Sequence, residues 1–376
     1  MVFHVCSSAT KHRMSYKLLL AVGLRPNSST VLFRVQQMVL NLKYVSLAVL
    51  VLQTTVVVLL LRYSRSVPQS GPRYLASTTI VISELLKIVA CLVVLCYECG
   101  WSLSKLKLLL LKEVWRKPFE TLKLVVPAIL YTVQNNLLFI ALTILDAATY
   151  QVTYQLKILT TAMFSVMILH KRLVITQWLA LVLLMIGVAL VQMPSSDSSP
   201  ASEVDKPVAS QFLGLFVVLI ACFSSGFSGV YFEKLVKTSP QSLWIRNIQL
   251  ALFSIVIGVF AVIMQDYNTV QKHGFFQGYY ITTWIIILLQ AFGGLVVATV
   301  IKYADNILKG FATSVSIVLS TLCSYYVLDD FKPTDSFFMG ATIVIIATML
   351  YGYPGMKPDK YSTKPTVNNR GKTAAK

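Results

Sequence analysis

The sequence has few charged residues. Only 13% of its 376 residues are Asp, Glu, Lys or Arg, whereas 56% are hydrophobic and the mean hydropathy is +0.70. A soluble domain must cover its surface with polar groups, so this composition excludes an ordinary soluble protein. The chain is predicted to be an integral membrane protein.

The sequence also lacks the motifs of common catalytic sites. It has no Walker motif and no nucleophile–base pair, and its four histidines (His4, His12, His170 and His273) are scattered over tails and loops. No group of His and Cys has the spacing of metal ligands, so neither a metal nor a cofactor is expected. These absences argue against an enzyme.

The sequence contains long runs of apolar residues. About 20 apolar residues in a helix cross the hydrocarbon core of a bilayer, and ten such windows are predicted. They cover residues 43–61, 75–97, 121–145, 147–169, 173–192, 211–232, 243–264, 281–303, 306–328 and 335–353. The predicted fold class is therefore an all-α integral membrane protein with ten transmembrane helices.

The basic residues are distributed unevenly between the two sides of the membrane. When the loops are assigned alternately to the two sides of ten spans, most of the 33 Lys and Arg residues fall on the side of both termini. By the positive-inside rule this side is cytosolic, a result that requires an even number of spans. Topology thus accounts for the net charge of +18, and nucleic acid is not expected as a partner.

A polar linker divides the chain into two halves. Residues 194–210 are rich in Pro and Ser and are assigned to the lumenal side, between a first five-helix repeat at 41–193 and a second at 211–354. Residues 1–40 are predicted to be a disordered cytosolic arm, and 355–376 a basic cytosolic tail. Because each half has an odd number of helices, the halves are oppositely oriented, as in an inverted repeat around a site near the midplane.

The fourth span carries a stripe of polar side chains. Tyr150, Thr153, Tyr154 and Lys157 stand at i, i+3, i+4 and i+7, so they share one helix face. An unpaired ammonium inside a bilayer costs about 3 kcal/mol. The stripe is therefore expected to face a water-filled cavity or an anionic ligand. The alternative, in which Lys157 snorkels to the headgroups, is strained by its depth in the span.

Other polar residues inside spans are candidates for the same site. Glu84 and Lys87 are three residues apart, so they either pair with each other or leave Lys87 partly free to meet a phosphate. Gln134 and Asn135 supply amides of the kind that read a base or a sugar edge, with interhelical hydrogen bonding as the alternative. Asn247 opens the seventh span.

The start of the ninth span completes the candidate site. Asp305 is predicted to be its N-cap, and Lys309 follows one turn later, where free amide groups suit a phosphate. Glu233, at the cytosolic end of the sixth span, and Asp305 are expected to support the site structurally. Lysines and tyrosines that converge on one cavity predict a polyanionic ligand with a ring that stacks, such as a nucleotide.

Several of these segments closely resemble the nucleotide-sugar transporter family, within the drug/metabolite transporter superfamily. The similar segments are residues 145–162 (LDAATYQVTYQLKILTTA), 83–87, 133–137, 224–234, 244–249 and 302–313. The resemblance covers residues 39–353 and implies two inverted five-helix repeats. It also implies antiport of a nucleotide sugar against a nucleoside monophosphate in the Golgi or endoplasmic reticulum. By the same resemblance, the nucleotide and phosphate site is lined by Lys87, Asn135, Tyr150, Tyr154, Lys157, Asn247 and Lys309.

Within that family, residues 41–46 (NLKYVS) and 71–74 (GPRY) look most like those of Golgi carriers of UDP-N-acetylglucosamine, and carriers of UDP-galactose are a close second. The implied exchange substrate is UMP.

A rival hypothesis is a membrane-embedded transferase that uses UDP-sugars, but it would need clustered carboxylates on one membrane face. The cytosolic loops offer only isolated Glu98, Glu113 and Glu233. A second rival is a scaffold for Golgi glycosyltransferases, and a homo-oligomer is compatible with each hypothesis.

Overall fold

The computed structural model describes residues 29–66, 74–145, 147–193, 208–239, 241–327 and 334–352. Within these ranges the chain forms helices joined by turns, and no strand occurs. The predicted all-α class is confirmed. Most of the predicted arm, linker and tail lies outside the described residues.

The helices are, in chain order, α1 (Ser29–Ser66), α2 (Ala76–Glu98), α3 (Leu103–Leu110), a π-helical turn (Leu111–Trp115), α4 (Pro118–Leu122), α5 (Val125–Ile144), α6 (Ala147–Tyr154), α7 (Lys157–Leu169), α8 (Ile175–Val191), α9 (Val208–Thr238), α10 (Leu243–Gln265), α11 (Tyr267–His273), α12 (Ile281–Tyr303), α13 (Asn306–Val327) and α14 (Asp335–Gly352).

The first helix is longer than expected. It begins at Ser29, so the expectation of a disordered arm over 1–40 is corrected for residues 29–40, which are helical. Residues 29–42 contain neither Pro nor Gly, so nothing in them stops the helix of the first span from extending toward the N-terminus. The linker is also shorter than predicted, because α9 already begins at Val208, directly after Pro207.

The described residues contain nine helical stretches that are long and apolar enough to cross a membrane, and each coincides with a predicted span. The remaining predicted span, 173–192, corresponds to α8, which has 17 residues. At 1.5 Å per residue its length is about 26 Å, slightly less than the hydrocarbon thickness of about 30 Å. The chain is therefore a multi-pass membrane protein, and the full count of ten stays a prediction.

The helices of the two halves pack mainly against each other. α1 packs on α12 and α13, α2 on α10 and α12, α5 and α7 on α9, α5 on α10, and α8 on α14. Each span of the first half has a counterpart five spans later in the second half. Whenever two spans in this set of pairings pack together, their counterparts also pack together; for example, α1 packs on α12, and their counterparts α9 and α5 pack on each other. Such a pattern is expected of a duplicated five-helix unit. The opposite orientation of the halves stays a prediction.

The backbones of α8 and α14 approach each other closely at two glycines. A Cβ atom added at Gly340 would lie 2.7 Å from the carbonyl oxygen of Gly187, and one added at Gly187 would lie 3.0 Å from that of Gly340. Small residues allow membrane helices to approach this closely. The hydrophobic cluster around this contact continues through Leu184 and Val344 to Ile158, beside the candidate site.

Candidate functional site

The polar stripe of the fourth span forms a compact group of side chains. The rings of Tyr150 and Tyr154 stack with centroids 5.9 Å apart and planes 11° apart. The Lys157 ammonium lies 4.0 Å from the centre of the Tyr154 ring. Gln134 on α5 donates a hydrogen bond of 3.1 Å to the Tyr154 hydroxyl. The structure thus brings together four of the predicted residues, from the third and fourth spans.

The fourth span is interrupted where Lys157 stands, although the sequence predicted one continuous helix. α6 ends at Tyr154 and α7 begins at Lys157, and the Leu156 amide bonds to the Thr153 carbonyl at 3.1 Å, a tighter i to i−3 pattern. The thiol of Cys222 on α9 donates to the Tyr154 carbonyl at 3.5 Å. Interrupted membrane helices are tolerated where they line protein or a cavity, and in transporters they often form the substrate site.

Lys309 lies near the same group. It is close enough to Lys157 for the two positive charges to repel, and it also feels the negative charge of Glu233. Across the described residues no carboxylate lies within ion-pair distance of Lys157 or Lys309. Two neighbouring cations without direct counter-ions favour a ligand that carries two negative charges.

Glu233 anchors the start of α13 on the side assigned to the cytosol. Its side chain is fully buried and accepts hydrogen bonds from Lys171 at 2.8 Å, Lys237 at 2.7 Å and the Asn306 amide at 2.9 Å. A buried carboxylate needs this degree of pairing. The contacts fix α13, which carries Lys309, against α9, and the supporting role of Glu233 in binding stays a prediction.

Asp305 caps α13, as the sequence predicts. One of its carboxylate oxygens accepts the Leu308 amide at 2.8 Å, and the other lies 3.4 Å from the Lys171 ammonium. Burial alone would raise the pKa of Asp305, but the charge of Lys171 and the Leu308 amide hold this pKa below its ordinary value. Asp305 therefore stays ionised at neutral pH.

Lys87 pairs with Glu84 in the structure, and whether Lys87 also meets a phosphate stays a prediction. The Lys87 ammonium lies 2.6 and 2.7 Å from the two carboxylate oxygens, and Lys87 is only 7% exposed. Gly294 on α12 leaves room for it, since a Cβ there would lie 3.1 Å from the Lys87 side chain. A substrate phosphate would have to compete with Glu84 for Lys87.

The two predicted asparagines are placed less favourably for contact with a ligand beside Tyr154. Asn247 is 2% exposed and donates its side-chain amide to the Leu243 carbonyl of its own helix at 3.0 Å. Asn135 is exposed on α5, beside buried Gln134. Among the residues with described positions, neither asparagine hydrogen-bonds to the group around Tyr154. Their role in binding stays a prediction.

Two contributors were missed by sequence reasoning. Lys171 bridges Glu233 and Asp305 from the turn that precedes α8, and Cys222 contacts the interruption between α6 and α7. Both contacts join residues more than 60 positions apart in the chain. No signal in the sequence pointed to the contact of Lys171, which stands in the basic pair Lys171–Arg172 of a short loop.

Comparisons with known proteins agree with this architecture. A family model described as nucleotide-sugar transporter matches residues 38–352. A dog protein named UDP-N-acetylglucosamine transporter is 59% identical over 87% of this chain and 98% of its own. A mouse UDP-galactose translocator is 46% identical over 88% of this chain and 82% of its own. One crystal structure superposes with a TM-score of 0.57 at 14% identity, over 82% of this chain and 96% of the other, which is a likeness of fold alone.

Proposed function

This chain belongs to the nucleotide-sugar transporter family, and from that premise we propose that it carries UDP-N-acetylglucosamine into the Golgi lumen in exchange for UMP. It is a transporter, not an enzyme. Identity of 59% to a relative named for UDP-N-acetylglucosamine, against 46% to one named for UDP-galactose, supports the choice of sugar. The Golgi location follows the family, and the charge distribution supports cytosolic termini.

The observation that carries the proposal is the contact of Tyr154 with Lys157, with Lys309 nearby. In the proposed complex the diphosphate lies between Lys157 and Lys309 and relieves their repulsion. Tyr150 or Tyr154 contacts the uracil ring, a role suited to an aromatic face. The amides of Asn135 and Asn247, and Lys87 once released from Glu84, complete the site.

Transport requires that this site open alternately to the two sides. The pairing pattern of the helices supports two equivalent units that rock around a central site. In this description the cluster of Glu233, Asp305 and Lys171 ties α9, α13 and the turn before α8 together on the cytosolic side. Release of UMP to the cytosol then returns the transporter to a state that accepts UDP-sugar.

The proposed exchange is nearly electroneutral. A UDP-sugar carries two negative charges on its diphosphate, and UMP carries about −1.5 to −2 near pH 7, because its second phosphate pKa is about 6. The same two lysines therefore suit both substrates. A membrane potential is expected to have little effect on the rate of exchange.

The test is uptake of labelled sugars by proteoliposomes that contain the purified chain. Vesicles are preloaded with UMP or CMP and offered UDP-N-acetylglucosamine, UDP-galactose or CMP-sialate. We expect UDP-N-acetylglucosamine to accumulate, with stimulation by internal UMP but not by CMP. Equal uptake of UDP-galactose would favour a carrier of several UDP-sugars, and no stimulated uptake of any sugar would refute transport.

The rival hypotheses are separated in the same preparation. A transferase would consume UDP-N-acetylglucosamine in detergent, without a sealed vesicle, whereas a carrier leaves it intact. A scaffold would depend on its tails, so deletion of residues 1–28 and 357–376 should leave uptake unchanged if transport is the main activity.

A further inference from the structure

A cavity lined by both polar and apolar residues lies at the membrane surface on the side assigned to the cytosol. It has a volume of about 370 Å³, within the range of about 300–1,000 Å³ that is typical of small-molecule sites. Lys117, Glu120, Lys123, Ser239, Gln241 and Arg246 line it. It thus lies between the start of the third span and the turn from α9 to α10, and it shares no residue with the candidate substrate site.

The charges around this cavity sum to a positive value. Lys117 pairs with Glu113 at 2.9 Å, and Glu120 pairs with both Lys123 and Arg246. Three cations therefore face two carboxylates. The Lys117 and Lys123 side chains are 40% and 46% exposed, so a ligand can reach them from the cytosol without rearrangement of the helices.

Several polar groups of the residues that line the cavity have no partner among the described residues. The Nε–H of Arg246 is buried without an acceptor, although the residue is only 1% exposed. Ser239 accepts a hydrogen bond from the Gln241 amide at 3.1 Å, and its own hydroxyl proton has no described acceptor. The Gln241 side-chain oxygen is buried without a donor. Buried groups of this kind are costly unless a ligand or water satisfies them.

We propose that this cavity binds a phosphorylated polyol, the headgroup chemistry of phosphoinositide lipids. The cations and the Ser239 hydroxyl donate to phosphate oxygens. The Arg246 Nε–H and the Gln241 oxygen are buried and reach the ligand only after their side chains turn toward the cavity, where the oxygen accepts from a ring hydroxyl. A bare phosphate would leave that oxygen unused. The site is thus distinct from transport and is predicted to respond to the lipid or solute composition of the cytosolic side.

The position of the cavity favours a lipid as the source of this headgroup. The membrane-spanning stretch of the third span begins at Pro118, next to Lys117, so the cavity opens at the level of the headgroups. Lys112 and Arg116 are exposed in the same segment and add positive charge. Basic pockets between transmembrane helices on the cytosolic side are known to suit phosphoinositide headgroups.

The experiment compares two double variants that remove equal charge from the same cytosolic segment. Lys117→Ala/Lys123→Ala removes two cations from the cavity wall. Lys105→Ala/Lys107→Ala removes two exposed cations that lie outside it. Binding of a phosphatidylinositol monophosphate to the full chain in detergent is titrated by native mass spectrometry, with phosphatidylinositol and phosphatidylserine as reference lipids.

We expect one monophosphate lipid to bind more tightly than either reference lipid. A basic residue near an anionic surface contributes about fivefold in affinity, so the cavity variant should bind about thirtyfold more weakly, whereas the control variant should bind like the wild type. Ser239→Ala, which alters no charge, should also weaken binding severalfold. Equal losses in both double variants, or no preference for the monophosphate lipid, would overturn the proposal.

Soluble probes identify the source of the phosphate. Inositol monophosphate and inorganic phosphate are added as competitors at the same ionic strength. Competition by inositol monophosphate only at far higher concentration than the lipid supports a lipid headgroup. Competition at equal concentration supports a soluble phosphorylated polyol in the same cavity. Equal competition by inorganic phosphate would overturn recognition of the polyol.

Discussion

The side chain of Tyr154 has contacts at both of its ends. It stacks on Tyr150, lies against the ammonium of Lys157 and accepts a hydrogen bond from Gln134 through its hydroxyl. The two ends of this side chain therefore have different roles. The ring positions a cation, and the hydroxyl ties the fourth span to the third.

This division of roles predicts different effects for two substitutions. Tyr154→Phe keeps the ring but loses the hydrogen bond that positions it, which is worth about 1 kcal/mol, so the KM for UDP-N-acetylglucosamine should rise by at most about fivefold. Tyr154→Leu also loses the cation–π contact with Lys157, worth about 0.5–2 kcal/mol, and should therefore raise the KM further. Uptake into proteoliposomes measures both, with Tyr97→Phe, an exposed tyrosine on α2, as the control. Equal effects of the two substitutions would mean that the ring contributes nothing.

The polar stripe of the fourth span could be predicted because helix periodicity alone places Tyr150, Tyr154 and Lys157 on one face. The interruption before Lys157 could not, since neither Pro nor Gly marks it and the thiol of Cys222 comes from another helix. Periodicity carries information within a helix. The contacts of a side chain with a distant helix depend on how the helices pack, which one sequence does not reveal.

At the scale of elements, the close packing of α8 on α14 depends on Gly187 and Gly340, which have no side chain to separate the helices. A methyl group at Gly340 would lie 2.7 Å from the Gly187 carbonyl, so Gly340→Ala should force the helices apart and cost about 1–3 kcal/mol. Gly352→Ala, on the same helix but with nothing within 4 Å, should be neutral. Thermal unfolding in detergent compares the two. An unchanged midpoint for Gly340→Ala would contradict the close contact.

The cap of α13 predicts a pH-dependent contribution to stability. Because the pKa of Asp305 is lowered in the folded state, its contribution is present above its ordinary value of about 3.9 and is lost as the pH falls through the lowered pKa. Asp305→Ala should reduce stability by about 1 kcal/mol at neutral pH. Its deficit relative to the wild type should stay constant from about pH 8 to 5 and shrink below about pH 4. Unfolding midpoints of the wild type and the variant measure this deficit across the range. A deficit that grows as the pH falls would contradict the prediction.

For the whole molecule, the number of spans determines where the termini lie. Most predicted spans were recovered because apolar runs of full length are read directly from composition. α8 is the exception, since its 17 residues are few for a membrane crossing, and only the charge asymmetry of the loops argues that it crosses.

Epitope tags at the two ends test this topology. If α8 crosses, both tags should be reached by antibody in cells whose plasma membrane alone is permeabilised, and a tag between residues 194 and 207 should not. Detection of only one terminus would mean an odd number of spans and would contradict the inverted repeat.

The central claim is that Lys157 and Lys309 bind the phosphates of the transported nucleotide. It is tested most directly by UMP-stimulated uptake of UDP-N-acetylglucosamine in Lys157→Ala and Lys309→Ala, with Lys234→Ala, an exposed lysine on α9, as the matched control. A charge-assisted hydrogen bond contributes about 1.5–3 kcal/mol, so each site variant should lose about tenfold or more of its uptake at low substrate, while the control keeps full activity. Full uptake in both site variants would contradict the account.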